Sequence, residues 1–242
     1  MSERMIRRHS GPAIFIHWFN AVLWLFLLAT GLGLIDNPQL QPLGSWWPRA
    51  MRALFGGGTG LLWTHLTAAG LWLVVWLVVI VVWLRSLTLP FLGRILSLRP
   101  GRDLEWTIKK NLQMTLGYRM MARLVKPLGW KGNIPDQPFY NAGQKAAAMV
   151  MVLGGLVLTL TGMVMAVSKY LLEPAQVVWV QWSITLHFLA AGLTTAMLLL
   201  HVYMAAISRE ERPAFWSMFS GRVPAGYAQH HHRLWFNQLE NK

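Results

Sequence analysis

The stretch from Gln181 to Ile207 reads QWSITLHFLAAGLTTAMLLLHVYMAAI and contains no Asp, Glu, Lys or Arg. An apolar run of about 20 residues is long enough to cross the hydrocarbon core of a bilayer. Two histidines, His187 and His201, interrupt this run. An ionisable residue inside a membrane helix is a functional candidate, because burying it without a partner is costly. The stretch therefore predicts a membrane helix with functional groups in its interior.

Three more apolar runs precede this one, at about residues 13–34, 61–84 and 146–167. The chain has 242 residues, of which 55% are hydrophobic and 13% are charged. The core of a soluble domain of this length cannot bury four such apolar runs. We predict an all-α membrane protein, a bundle of four transmembrane helices forming a single domain over residues 1–242. The first run follows three arginines as a signal peptide would, but its length and the lack of an A-x-A site favour a retained helix.

The segments outside the four runs are polar: an outer loop at 35–60, a long loop at 85–145 and a tail at 208–242. Proline and a triple glycine in the outer loop predict that no helix forms there. Residues 104–124 of the long loop mix apolar and basic side chains. This part is either an amphipathic helix on the membrane surface or a solvated basic connector.

Lysine and arginine are concentrated in the N-terminal segment, the long loop and the tail, whereas the other two connections hold only Arg49, Arg52 and Lys169. Because basic residues are enriched on the cytoplasmic side of membrane proteins, we predict that both termini and the long loop are cytoplasmic. The net charge of +13 does not lie in a base-reading motif, so we expect no nucleic-acid partner. The lack of cysteine excludes disulfides, cysteine-ligated iron–sulfur clusters and c-type haem attachment.

Four histidines lie inside the predicted spans: His17, His65, His187 and His201. Fourteen residues turn a helix by about 1,400°, which is about 40° short of four turns, and advance it by about 21 Å. His187 and His201 therefore face nearly the same side, near the outer and inner ends of the fourth span. His65 lies near the outer end of the second span and His17 near the inner end of the first. These depths predict an outer pair, His65 with His187, and an inner pair, His17 with His201.

Two histidine pairs at two depths are the ligand set that two stacked b-type haems need. Each histidine alone is equally well explained by a neutral imidazole bonded to a backbone carbonyl. For the set, zinc or copper sites or a proton relay are the alternatives. The shared pattern H-x-x-A-A-G at His65–Gly70 and His187–Gly192 favours haem, because small residues one turn beyond a ligand leave room for a flat macrocycle. Small residues that only promote helix packing do not explain the fixed offset from both histidines.

Three motifs are more specific: YNAGQK at Tyr140–Lys145, IHW at Ile16–Trp18 and LHVYMA at Leu200–Ala205. With these motifs and this order of histidines, the chain resembles the gamma subunit, cytochrome b556, of respiratory membrane-bound formate dehydrogenase. The resemblance covers nearly the whole chain. The outer loop 35–60 departs from the family by its greater length, which leaves the docking partner open.

The resemblance implies that His65 and His187 hold a haem b on the periplasmic side and that His17 and His201 hold a second on the cytoplasmic side. It also implies that menaquinone or ubiquinone binds beside the inner haem at Asn141, Gly143 and His201. An amide and an open backbone at the membrane edge suit a quinone carbonyl. Asn141 also fits the N-cap of the third span, and the two roles are compatible.

The family's activity implies an electron-transfer and quinone-reducing subunit in the bacterial inner membrane, with no catalytic residue for formate in this chain. The implied partners are an iron–sulfur beta subunit and a molybdenum or tungsten alpha subunit, with a trimer of heterotrimers as the assembly known for the family. The first alternative is a haem-b anchor of another respiratory complex, such as nickel–iron hydrogenase or thiosulfate reductase. The second is a haem-free transporter or channel subunit.

Overall fold

The computed structural model describes residues 3–171 and 176–241, with the side chains of 169–171 left aside. Pro174, in the predicted connection between the third and fourth spans, lies outside these residues. Within the described ranges the chain is almost entirely helical, with two short strands. The elements are β1 (Met5–Arg7), α1 (Gly11–Leu34), α2 (Trp46–Leu54), α3 (Gly57–Val82), α4 (Leu89–Leu96), α5 (Pro100–Leu116), α6 (Tyr118–Val125), α7 (Ala142–Leu171), α8 (Val177–Val202), α9 (Arg212–Ser220), β2 (Arg222–Pro224), α10 (Ala225–His231) and α11 (Arg233–Glu240).

Four of these helices, α1, α3, α7 and α8, are long and apolar enough to cross a membrane, which confirms the predicted all-α membrane fold. At 1.5 Å per residue they are each at least about 36 Å long, which exceeds the hydrocarbon thickness of about 30 Å. Their bounds differ from the predicted ones because helices continue past the apolar core. The second span begins at Gly57 rather than at Leu61, and α8 ends at Val202, where a π-helical turn, Tyr203–Ile207, continues it.

The outer loop contains a helix, so the prediction that none forms there was wrong. Helix α2 tolerates Pro48 because this residue lies in the first turn, where backbone N–H groups have no partner inside the helix. The loop is tied to the end of α1: the Trp47 indole donates to the Ala29 carbonyl at 3.0 Å, and the Gln41 amide donates to the Leu32 carbonyl at 2.7 Å. Gly56 has a φ of 73° and makes the turn into α3. Residues with a Cβ adopt this backbone conformation only with strain.

One compact unit, the membrane unit, comprises Gly11–Thr88 and Leu153–Ala196. Polar groups in it are paired across helices, because unpaired ones are costly in lipid. Asn20 on α1 accepts hydrogen bonds from the indoles of Trp72 and Trp76 on α3, at 2.8 and 3.0 Å. Glycine permits close packing elsewhere: a Cβ on Gly154 of α7 would lie 2.2 Å from Thr194 of α8. The helices therefore contact through small residues and buried hydrogen bonds, as is usual in membranes.

The other compact unit, the terminal unit, comprises Met1–Ser10, Leu89–Val152 and Met197–Lys242. Its strands β1 and β2 pair antiparallel, with Ile6 opposite Val223. The N-terminal strand thus pairs with the tail, and the cytoplasmic position of both stays a prediction. A small hydrophobic core of the unit consists of Ile6, Phe139, Val223, Tyr227, Ala228 and Trp235. The tail predicted only as polar is thus a folded part of this unit.

The long loop joins this core through buried polar groups. The Arg8 guanidinium donates to the Phe139 carbonyl at 2.9 Å and lies 4.8 Å from the centre of the Phe139 ring. Fully buried His232 places Nδ1 2.8 Å from the Pro138 carbonyl. Residues 104–124 lie in two helices, α5 and α6, so they do not form an irregular connector. Their position on the membrane surface stays a prediction. On α5 the Lys109 ammonium is fully buried and donates to the Lys131 and Asn133 carbonyls at 2.5 and 2.8 Å.

The terminal unit is expected to lose stability as pH falls below about 6.5. Burial first, and the Arg8 charge second, lower the pKa of His232 to about 3. Between pH 6.5 and 3 the unfolded chain therefore binds a proton at this site that the folded chain does not, which favours unfolding. Burial raises the pKa of Glu211, but hydrogen bonds from His231 and Tyr227 outweigh it and hold the pKa at about 2. Glu211 therefore adds a second loss between pH 4.5 and 2.

Replacing His232 with glutamine keeps a donor for the Pro138 carbonyl and removes the titration. We expect this variant to show a flatter dependence of stability on pH between 6.5 and 4.5. Hydrogen exchange of the β1 and β2 amides, corrected for intrinsic rates, measures this stability in detergent. The control is His230→Gln, an exposed neighbour on α10. Equal slopes in the wild type and the His232 variant would contradict the assignment.

Candidate functional site

The outer histidine on α3 has a defined hydrogen-bond partner. Its Nδ1 lies 2.9 Å from the hydroxyl oxygen of Thr30, a buried residue on α1. That hydroxyl donates its only proton to the Phe26 carbonyl one turn back, at 2.9 Å. With the hydroxyl proton assigned to that carbonyl, Thr30 accepts from the imidazole, and the hydrogen-bond network assigns the ring proton of His65 to Nδ1. The Nε2 atom is left with its lone pair available to a metal.

The outer histidine on α8 repeats this arrangement. Nδ1 of His187 lies 2.9 Å from the hydroxyl of Thr161 on α7. Thr161 is also buried, and it donates to the Val157 carbonyl at 2.6 Å. The same reasoning puts the proton of His187 on Nδ1 and leaves Nε2 free to ligate. His65 on α3 is thus hydrogen-bonded to α1, and His187 on α8 is hydrogen-bonded to α7.

Glycines lie against both imidazoles. A Cβ added at Gly31, next to Thr30, would lie 3.4 Å from Cε1 of His65. At Gly162, next to Thr161, it would lie 3.5 Å from Cε1 of His187. Both distances are ordinary van der Waals contacts, so each ring lies directly against the backbone of the neighbouring helix at its glycine.

The two imidazoles are near each other in the membrane unit, close enough to interact electrostatically. The first alanine of each H-x-x-A-A-G motif, Ala68 in one and Ala190 in the other, is buried. Among the described residues, a Cβ added at Gly70 or Gly192 would meet no atom within 4 Å apart from its chain neighbours and the nearby backbone of its own helix. Two imidazoles in one unit, each with Nε2 available to a metal and each beside backbone with no Cβ, fit a bis-histidine haem b. A structural zinc site takes four ligands, which this pair does not resemble.

The predicted inner pair is placed differently. His17 lies on α1 in the membrane unit and is half-buried, with its ring 5.4 Å from that of Trp18. His201 lies in the last turn of α8, which belongs to the terminal unit, and its side chain is exposed within the chain. The structure thus brings the outer pair together within one unit, and the pairing of His17 with His201 stays a prediction.

The YNAGQK motif forms the start of α7. Gln144 receives a hydrogen bond at Oε1 from the Asn141 backbone N–H, at 3.1 Å, while its own N–H donates to Oδ1 of Asn141 at 2.8 Å. This reciprocal pair is a capping box, so the N-cap role predicted for Asn141 is confirmed. The cap occupies the amide oxygen and leaves the amide nitrogen for another partner. A quinone contact at Asn141 stays a prediction.

Gly143 packs against Trp106 and the Asn141 side chain. A Cβ there would lie 3.5 Å from the indole ring of Trp106 on α5 and 3.4 Å from Oδ1 of Asn141. The last motif residue, Lys145, is buried and donates to the Ser97 carbonyl at 2.9 Å and to Asp103 at 3.1 Å. The motif therefore anchors α5 to the start of α7, a role that the sequence did not indicate.

Thr30 and Thr161 were not among the predicted site residues. A signal for them is present in the sequence as the dipeptide Thr-Gly, which occurs once in each membrane span that precedes a span with H-x-x-A-A-G. Threonine in a membrane helix ordinarily bonds its own backbone, so this dipeptide alone does not mark a site.

A family model described as prokaryotic cytochrome b561 matches residues 8–221. The match includes all four predicted spans, the four histidines and the YNAGQK motif. A comparison with curated proteins finds no match.

Proposed function

The chain belongs to the prokaryotic cytochrome b561 family, and we propose that it is the membrane-anchoring di-haem cytochrome b subunit of a respiratory formate dehydrogenase. Membership makes it a multi-pass membrane protein with b-type haem and a role in electron transfer. The observation that supports the proposal most directly is the outer pair of imidazoles, each with its proton fixed on Nδ1 and its Nε2 free.

In this proposal His65 and His187 hold one haem, and His17 with His201 hold a second. A bound haem b supplies a one-electron carrier inside the low-dielectric part of the membrane. The residues of the chain orient the ligands, exclude water with apolar helices and fix the proton on each outer imidazole. The second pair of histidines in the spans, His17 and His201, at a depth different from that of the outer pair, supports two haems rather than one.

The proposed path runs from a periplasmic iron–sulfur subunit to menaquinone or ubiquinone near the cytoplasmic face of the bacterial inner membrane. Formate is oxidised on a separate molybdenum or tungsten subunit. The basic residues of the terminal unit support a cytoplasmic position for it, because lysine and arginine favour that side. Quinone reduction there takes its protons from the cytoplasm.

Partner identity is tested by purifying the chain from its own membranes without harsh detergent and identifying what comes with it. We expect an iron–sulfur subunit and a molybdenum or tungsten subunit, in an assembly with the mass of a trimer of heterotrimers. A nickel–iron or thiosulfate-reducing partner would contradict the formate assignment while leaving the haem assignment intact. Absence of a b-type α band in the reduced-minus-oxidised spectrum would contradict both.

The quinone contact is tested at Asn141 by replacing it with aspartate. Aspartate is as good an N-cap as asparagine, so the capping box and both haem spectra are expected to survive. Aspartate lacks the amide N–H groups that could donate to a quinone carbonyl. We expect the rate of quinone reduction to fall about tenfold, because the loss of one hydrogen bond of about 1.4 kcal/mol corresponds to a factor of about ten. Stopped-flow oxidation of the reduced haems by a short-chain quinone measures this.

The matched control is Asn111→Asp, an exposed asparagine on α5 that bonds only within its own helix. Asn141→Ala removes cap and donor together and is expected to destabilise α7 by about 1 kcal/mol in addition. If the aspartate variant reduces quinone at the wild-type rate and the alanine variant fails only by unfolding, Asn141 is a cap alone.

A further inference from the structure

The outer site is built from two equivalent halves. In each half, one membrane span presents Thr-Gly and the next span presents H-x-x-A-A-G: Thr30 and Gly31 with His65, and Thr161 and Gly162 with His187. The Nδ1-to-hydroxyl distance is 2.9 Å in both halves, and the glycine contacts differ by only 0.1 Å, at 3.4 and 3.5 Å. Helix packing alone requires small residues, but it does not require a threonine hydroxyl directed at each imidazole nitrogen.

Each threonine acts as an acceptor and not as a donor. Its proton is committed to a carbonyl of its own helix, Phe26 in one half and Val157 in the other. A ligand imidazole that donates its second N–H has a fixed ring plane and a more electron-rich Nε2. Electron donation to the iron stabilises the oxidised state, so this bond acts on reduction potential as well as on position.

We propose that Thr30 and Thr161 are positioning residues that fix the tautomer and ring plane of the two outer ligands and lower the reduction potential of the haem they hold. This inference rests on the proposed haem function. Because the two halves are equivalent, each threonine acts on the same haem, by a similar amount and in the same direction. Neither acts on the haem assigned to His17 and His201.

The test replaces each threonine with valine, which keeps the shape and removes the hydroxyl, and separately with serine, which keeps the hydroxyl. Purified full-length protein is titrated potentiometrically, and the low-spin ferric haems are recorded by electron paramagnetic resonance. Loss of haem to an apoprotein acceptor is timed in the same samples. The inner haem serves as an internal standard for folding, because its spectrum and potential do not depend on these bonds.

With either valine variant we expect one haem to shift to a higher potential, to change its g-values and to be lost about 10- to 100-fold faster, the range typical of an outer-shell ligand partner. The serine variants are expected to stay near the wild type in all three measurements. Thr67→Val, on the exposed face of α3 two residues from His65, is the matched control and is expected to change none of them.

Equal behaviour of the serine and valine variants, or an unchanged potential, g-value and rate in both valine variants, would overturn the inference and leave the haem assignment standing. A shift in different haems for Thr30→Val and Thr161→Val would overturn it as well, since the halves would not share one site. A wild-type protein without haem would contradict this inference and the proposed function together.

Discussion

Alanine at position 65 or at position 187 is expected to remove the same haem, so that each variant binds one haem per chain where the wild type binds two. The reason is that either substitution deletes one axial nitrogen from the outer site, and a b-type haem has no covalent attachment to retain it. Pyridine haemochrome analysis gives the stoichiometry, and the reduced-minus-oxidised spectrum shows which haem is lost. His230→Ala, on the exposed side of the tail helix α10, is expected to keep both.

A second variant separates loss of the ligand from loss of the fold. His65→Gly opens a space at the ring position, at a cost to the helix of about 1 kcal/mol. Added imidazole is expected to restore the missing haem in this variant and in His187→Gly. If His65→Ala removed instead the haem that His201→Ala removes, the pairing by depth would be wrong.

Replacing Lys145 with methionine is expected to destabilise the terminal unit by about 3–5 kcal/mol, because it leaves the partly buried Asp103 carboxylate without its cation. The ammonium is 2% exposed and lies in the first turn of α7. A cation there opposes the helix dipole, so the Ser97 carbonyl and Asp103 are what make its burial tolerable. Hydrogen exchange of the β1–β2 amides and the thermal unfolding midpoint report the change.

The double variant Lys145→Met with Asp103→Leu tests the pairing directly. Removing both charges leaves no unpaired ion, so the double variant is expected to be more stable than Lys145→Met alone. Lys126→Met, at an exposed lysine after α6, is the control and is expected to cost under 1 kcal/mol. A Lys145→Met protein as stable as the wild type would show that the contact contributes nothing.

The membrane spans were predictable because their signal is local. A run of about 20 apolar residues identifies a span without knowledge of its neighbours. The Asn141 cap was predictable for the same reason, since a cap acts within four residues.

The terminal unit was not predictable in this way. Strand β1 pairs with β2 across more than 200 residues of sequence, and each strand has only three residues, too few for an alternating pattern to stand out. The sequence does not indicate that Lys109 and Lys145 are buried, because their carbonyl partners are distant in the chain. Thr30 was missed because its hydroxyl also makes the common bond to its own helix.

The pairing of Ile6 with Val223 has a consequence for biosynthesis. The N-terminal strand leaves the ribosome first, yet its partner is made only after all four spans have been inserted. Until then Ile6 and Phe139 have no hydrophobic core to join, and closing a loop this long is slow. The unit can therefore form only after β2 has been synthesised. A prematurely terminated chain would expose these side chains to the proteases that remove incomplete membrane proteins.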